Sequence, residues 1–107
     1  MAGNVKELTD GNFMENIKTG VTLVDFWAPW CAPCRAQGPV VDKLADAFAG
    51  KAVVGKINVD ENAEMANKFQ VMNIPTLIIF RDGREVNRLI GLQQETDLNA
   101  SIQKALL

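Results

Sequence analysis

Val24-Asp25-Phe26-Trp27-Ala28-Pro29-Trp30-Cys31-Ala32-Pro33-Cys34 joins an apolar run to a helical one and holds both cysteines of the chain. Upstream, Val21 to Trp27 is β-branched and aromatic, with almost unbroken apolarity. That pattern suits a strand covered on both faces, central in an α/β sheet. Pro29 ends it. Downstream, from about residue 32 to 49, apolar residues recur at helical spacing: Val40 or Val41, Leu44, Ala45 and Phe48. Gly50 closes this helix, and Pro39 inside it predicts a lost backbone hydrogen bond and a kink. The stretch therefore reads as a dithiol mounted where a strand gives way to a helix N-terminus, with one acid, Asp25, inside the strand.

The remaining segments extend the same alternation. Residues 5–8 read as a short edge strand, and Thr9-Asp10 as the cap of a helix over 11–18 carrying Phe13, Met14 and Ile17. Gly20 stops it. Residues 52–59 read as a second buried strand, and 63–69 as a short helix with Met65, Ala66 and Phe69 apolar. Residues 75–80 read as a third buried strand, with proline at the first position, where a missing donor is tolerated. Asp82-Gly83 is a hairpin signal, followed by an alternating edge strand over 85–90, a break at Gly91 and a helix over 95–106. The order βαβαβαββα implies parallel pairing through helical crossovers, then an antiparallel hairpin at one edge. No linker or repeat divides it, so residues 1–107 are expected to form a single domain.

Composition narrows the function. A net charge of −2 offers no basic excess for nucleic acid or an anionic membrane. No apolar run approaches the ~18 residues of a membrane span, and Met1 to Glu7 is polar, without a secretory apolar core. The expectation is a cytoplasmic protein, where a cysteine pair is more often catalytic or metal-binding than structural. The chain has no histidine. That excludes Cys–His and Ser–His catalysis and any histidine metal ligand from this chain. No metal site and no nucleotide-binding glycine loop is expected, and so no bound cofactor.

Cys31 and Cys34 are the candidate centre. A cysteine at a helix start faces unpaired N–H groups and the positive end of the helix dipole, which favour the nucleophilic thiolate. A second cysteine one turn on can attack a mixed disulfide, and Pro33 stiffens the turn between them. The competing readings are half of a zinc site, which lacks further Cys or His ligands here, and two inert core thiols. Asp25, among Val24, Phe26 and Trp27, is expected to be buried and raised in pKa, and placed to exchange a proton with Cys34; the alternative is a solvent-facing or locally hydrogen-bonded acid. Lys56, a charge in an apolar strand, either pairs with Asp25 or reaches solvent along its stem. Trp30 reads as an apolar surface for protein substrates and Trp27 as core packing. Ile74-Pro75 either forms a cis bond or simply starts a strand.

With these residues in view, the chain resembles the thioredoxin family, in the 24–34 stretch, Lys56, Ile74-Pro75-Thr76 and Gly91, all in order. The resemblance implies the thioredoxin fold, a central five-stranded mixed β-sheet flanked by four α-helices. It implies a protein-disulfide reductase in which Cys31 is the exposed attacking thiolate and Cys34 the resolving thiol. It gives Asp25 the proton-handling role with Lys56 nearby, and makes Pro75 a cis proline against the dithiol. The target would lie along Trp30, Ala32, Pro33, Ile74, Pro75, Ile90, Gly91 and Leu92. It also implies a monomer recycled by a thioredoxin reductase, a flavoprotein linked to NADPH or to ferredoxin. Ala32 stands where the family usually has glycine and Arg35 where it usually has lysine. Asn73 and Leu92 stand where small residues are frequent. These departures bear on partner choice, and Ala32 restricts the turn relative to glycine.

Overall fold

The computed structural model describes residues 4–107. The elements run β1 (Val5–Leu8), α1 (Phe13–Ile17), β2 (Val21–Trp27), α2 (Ala32–Ala47), β3 (Val53–Asn58), α3 (Ala63–Lys68), β4 (Thr76–Arg81), β5 (Arg84–Ile90) and α4 (Glu95–Leu106). One sheet holds all five strands in the order β1-β3-β2-β4-β5. β3 pairs in parallel with β1 and β2; β4 pairs antiparallel with β2 and β5. The mixed sheet and its four helices match the expected architecture, with β2 at the centre and β1 and β5 at the edges.

Two apolar layers hold the sheet. On one face Val21 and Leu23 pack with Val54, Leu77 and Ile79 beneath α2 and α4, which contribute Val41, Leu44, Leu98 and Ile102, with Phe48 at the end of α2. On the other, Val24, Phe26, Ile78 and Phe80 pack beneath α1 and α3. There Phe13 lies 5.8 Å from Phe26 and 5.7 Å from Phe80 between ring centres, and Phe69 seals the group at 5.1 Å from Phe80. Burying such side chains contributes about 1.5–3 kcal/mol each. Because alternate residues of a strand face opposite sides, Asp25 shares the α2 face with Leu23.

The element ends shift where local chemistry decides them. α2 runs unbroken through Pro39 and stops at Ala47, where the Phe48 N–H still reaches the Leu44 carbonyl. β4 starts at Thr76 rather than Pro75, since proline has no N–H for the ladder. Asp82 and Gly83 both take positive φ, 51° and 85°, as the two-residue turn between Arg81 and Arg84 requires. Thr9-Asp10 divides between two helices. α1 starts two residues later than expected, at Phe13, after a turn that Thr9 caps: Thr9 Oγ1 accepts from Asn12 N at 3.2 Å and Asn12 Oδ1 accepts from Thr9 N at 2.8 Å. Asp10 instead caps α3: its Oδ1 accepts from Met65 N at 2.9 Å and its Oδ2 from Glu64 N at 3.3 Å. Asn62 Oδ1 accepts from Asp10 N at 3.0 Å in return. Thr9 serves the helix that follows it, as expected, while the helix that Asp10 caps lies far along the chain.

Candidate active site

β2 ends at Trp27 and the chain must reverse into α2 within a few residues. Cys31 N donates to the Ala28 carbonyl at 3.2 Å, closing the turn, and Arg35 N donates to the Cys31 carbonyl at 3.1 Å, opening the helix. The Arg35 guanidinium ties back to the Pro29 carbonyl at 3.0 Å. Cys31 is thus the residue before the first helical position. Its sulfur accepts the backbone N–H of Cys34 at 3.2 Å, as a serine or aspartate oxygen does at this position. Pro33 sits in the first turn, where helical N–H groups have no intrahelical partner, and it and Ala32 are exposed.

Cys31 and Cys34 are joined as a disulfide across this turn. In this state Cys31 is only 5% exposed, against the expectation of an exposed sulfur. The cause lies around the sulfur itself: Cys34 covers one side of it, and the Ile74 carbonyl oxygen, brought there by the fold, lies 3.7 Å away on another. Ile74-Pro75 is a cis peptide, as the resemblance implies. Pro75 O accepts from Gly91 N at 2.8 Å, so the end of β5 is drawn up beside it. Gly91 has φ 89°, which glycine adopts without the steric cost of a Cβ. Ile90 and Leu92 flank it, both more than half exposed.

Trp30 is 68% exposed and held by its ring N–H, which donates to Asp60 Oδ2 at 2.9 Å. Beside it an open groove of about 310 Å³ runs between Trp30, Val59, Ala66, Val71, Met72 and Ile74. Met72, almost fully exposed, is absent from the expected rim; nothing in the spacing of 70–74 distinguishes it from ordinary loop.

Asp25 is 2% exposed, and its Oδ1 has no hydrogen-bond partner among the described residues. Burial pushes its carboxyl from the ordinary 3.8 up to about 7, with the positive charge of Lys56 pulling it down. Lys56 is the in-register neighbour of Asp25 across β2 and β3, but the two form no ion pair. The Lys56 ammonium lies instead 5.0 Å from the centre of the Trp27 ring, a cation–π contact. Trp27 is half-buried, and its expected packing role is shared with this lysine.

Gln37 escapes a reading of the sequence. It lies one turn beyond Cys34, is fully buried, and bonds both backbone groups of Gln93. A polar residue within a helix reads as solvated unless its apolar neighbours on the same face are counted, and Val41 and Leu44 are the available signal.

Among the described residues no three His, Cys, Asp or Glu side chains gather to hold a metal ion, and no helix is long and apolar enough to cross a membrane. A cysteine pair at the head of a helix, with an apolar rim around it, is suited to thiol–disulfide exchange. Known proteins resemble the chain along most of its length. The family model described as Thioredoxin matches residues 4–104. A thioredoxin of Staphylococcus saprophyticus is 49% identical over 102 residues, spanning 95% of this chain and 98% of its own. One of Staphylococcus aureus is 44% identical over the same share of both. The solved structure of a mutant thioredoxin from Halobacterium salinarum, 34% identical, superposes with a TM-score of 0.89, covering 100% of this chain and 96% of that one. With the Cys31–Cys34 pair in place, the chain belongs to the thioredoxin family and is a thiol–disulfide oxidoreductase.

Proposed function

We propose that the protein reduces disulfides of other proteins, with Cys31 as nucleophile and Cys34 as resolving thiol. The observation that carries the reading is the Cys31 sulfur at the head of α2, accepting the Cys34 N–H. Helix-terminal N–H groups and the helix dipole favour negative charge there, so the reduced pair holds its reactive thiolate on Cys31. That thiolate attacks one sulfur of a target disulfide. A Cys31–target bond forms, the target bond breaks, and one target thiolate leaves. Asp25 takes the Cys34 proton, and Cys34 attacks the Cys31 sulfur. The mixed disulfide breaks, the second target thiolate leaves, and two electrons have passed to the target. The unpartnered, high-pKa carboxyl of Asp25 on the face beneath α2 supports this role. Lys56 acts through its charge, tuning when Asp25 ionises.

The target lies along Trp30, Ala32, Pro33, Ile74, Pro75, Ile90, Gly91 and Leu92, a largely apolar rim around the disulfide. The family implies disulfide-containing target proteins and a reductase as partners. We assign the reductase to the thioredoxin reductases, flavoproteins drawing on NADPH or ferredoxin. The chain works as one domain, 1–107, a monomer in the cytoplasm, with the cysteine pair and no bound cofactor as its redox centre.

A second enzyme reading, an oxidant or isomerase on the same fold, is separated by the reduction potential. Equilibration with glutathione is expected to give a value near that typical of thioredoxin, about −270 mV, against about −180 or −120 mV for isomerase and oxidant members. A value above about −200 mV would remove the reductase assignment.

A further inference from the structure

The loop after β5 is tied to the dithiol helix by one buried side chain. Gln37 on α2 places both ends of its amide on a single residue: Oε1 accepts from Gln93 N at 2.7 Å, and Nε2 donates to Gln93 O at 3.0 Å. The Gln93 side chain turns back along the loop, donating to the carbonyls of Ile90 at 3.1 Å and Gly91 at 3.3 Å. Gly91 N reaches Pro75 O, and the carbonyl of Ile74 lies against Cys31. The contacts form a closed circuit from α2 to the loop, to Pro75, and back to the dithiol.

Ile90 and Leu92 are mostly exposed, so apolar burial contributes little to their placement. Ile90, the last residue of β5, is placed by its ladder with Thr76, so beyond it the position of Gly91 and Leu92 depends on the Gln37 bracket and the Gly91 bond. A buried amide satisfied at both ends is well tolerated, whereas losing the bracket leaves the loop backbone groups to find other partners. Among the described residues Gln37 makes no side-chain hydrogen bond to either cysteine, so the tie it adds to the site is the one to the loop.

We propose that Gln37 is a positioning residue for protein targets: through Gln93 it fixes Gly91 and Leu92 relative to Cys31, so that a target segment meets a preformed rim. The inference rests on the substrate rim assigned above. Without the bracket the loop must be ordered by the target, which weakens binding without moving the reacting sulfurs.

Gln37→Leu keeps the volume and removes both bonds. For insulin reduction the expected result is a KM raised about fivefold to tenfold with kcat within about twofold. The rate with hydroxyethyl disulfide, too small to use the rim, and the pH profile of the Cys31 thiolate absorbance stay as in wild type. Gln93→Ala removes only the ties to Ile90 and Gly91 and is expected to raise KM less, in the same direction; it carries the test alone should Gln37→Leu not fold. Unchanged KM in the folded variants overturns the inference. So does a KM rise matched by an equal loss against hydroxyethyl disulfide or by a displaced thiolate titration, since either puts the effect on the dithiol. A wild type that reduces hydroxyethyl disulfide but not insulin overturns the underlying reading of the rim itself.

Discussion

Cys34→Ser captures target proteins as long-lived mixed disulfides on Cys31, and Cys31→Ser captures none. The expectation follows from the turn that holds the two sulfurs. In wild type the second sulfur sits within bonding reach of the first, as their disulfide demonstrates, so the intramolecular attack outpaces attack by any thiol in solution. Effective molarities of well-placed intramolecular groups make that advantage at least on the order of a thousandfold. Serine at 34 removes the attacking sulfur and leaves the head of α2 intact. The adduct should appear as one covalent 1:1 species on a non-reducing gel or by intact mass, and vanish on adding dithiothreitol. Serine at 31 removes the sulfur that sits at the helix N-terminus, leaving one that lies within α2, past the free N–H groups of the helix head. Equal adduct formation by the two variants would contradict the assignment of nucleophile and resolving thiol.

Asp25→Asn stabilises the protein, and the gain grows with pH. The folded-state carboxyl ionises near pH 7, the unfolded one near 3.8. Between these values the folded chain holds a proton that the unfolded chain has released, so this group's stabilising contribution is complete below about pH 4 and is lost as pH rises through 7. A displacement of this size corresponds to about 4 kcal/mol at its plateau. A buried amide and the buried, protonated carboxyl cost about the same to desolvate, so the expected net gain of the variant is about 4 kcal/mol above pH 8 and close to zero below pH 4. Urea unfolding of both proteins across this range, taken as a difference, cancels the other carboxylates. The same substitution should slow insulin reduction, because no carboxylate remains beneath α2 to take the Cys34 proton. Parallel stability profiles would mean that Asp25 ionises as an ordinary exposed acid does.

The architecture is legible because its strands are short, strongly apolar and set apart by turn residues. Composition alone places β2 at the centre of the sheet, and Asp82-Gly83 specifies the one tight hairpin. The dithiol is equally legible, since spacing and a helix start are local properties. What stays hidden in the sequence are partners made by the fold. Thr9 caps the turn into α1, as the sequence suggests, but Asp10 beside it caps α3, which only the fold brings to it. β2 and β3 place Lys56 and Asp25 in register, but the expected pair does not form: the ammonium settles over Trp27 instead. Gln37 carries no local sign of its role, because Gln93 meets it only after the whole sheet has formed. The burial of Cys31 is equally non-local, as it comes from the Ile74 carbonyl and the bonded sulfur beside it.

Reduction of insulin by dithiothreitol, followed as turbidity, tests the central claim most directly. Wild-type protein at catalytic concentration should strongly accelerate precipitation of the free B chain, and Cys31→Ser should fall to the rate of dithiothreitol alone. A well-folded wild type that gives no acceleration, or a Cys31→Ser variant that accelerates as wild type does, would contradict disulfide reduction through this pair.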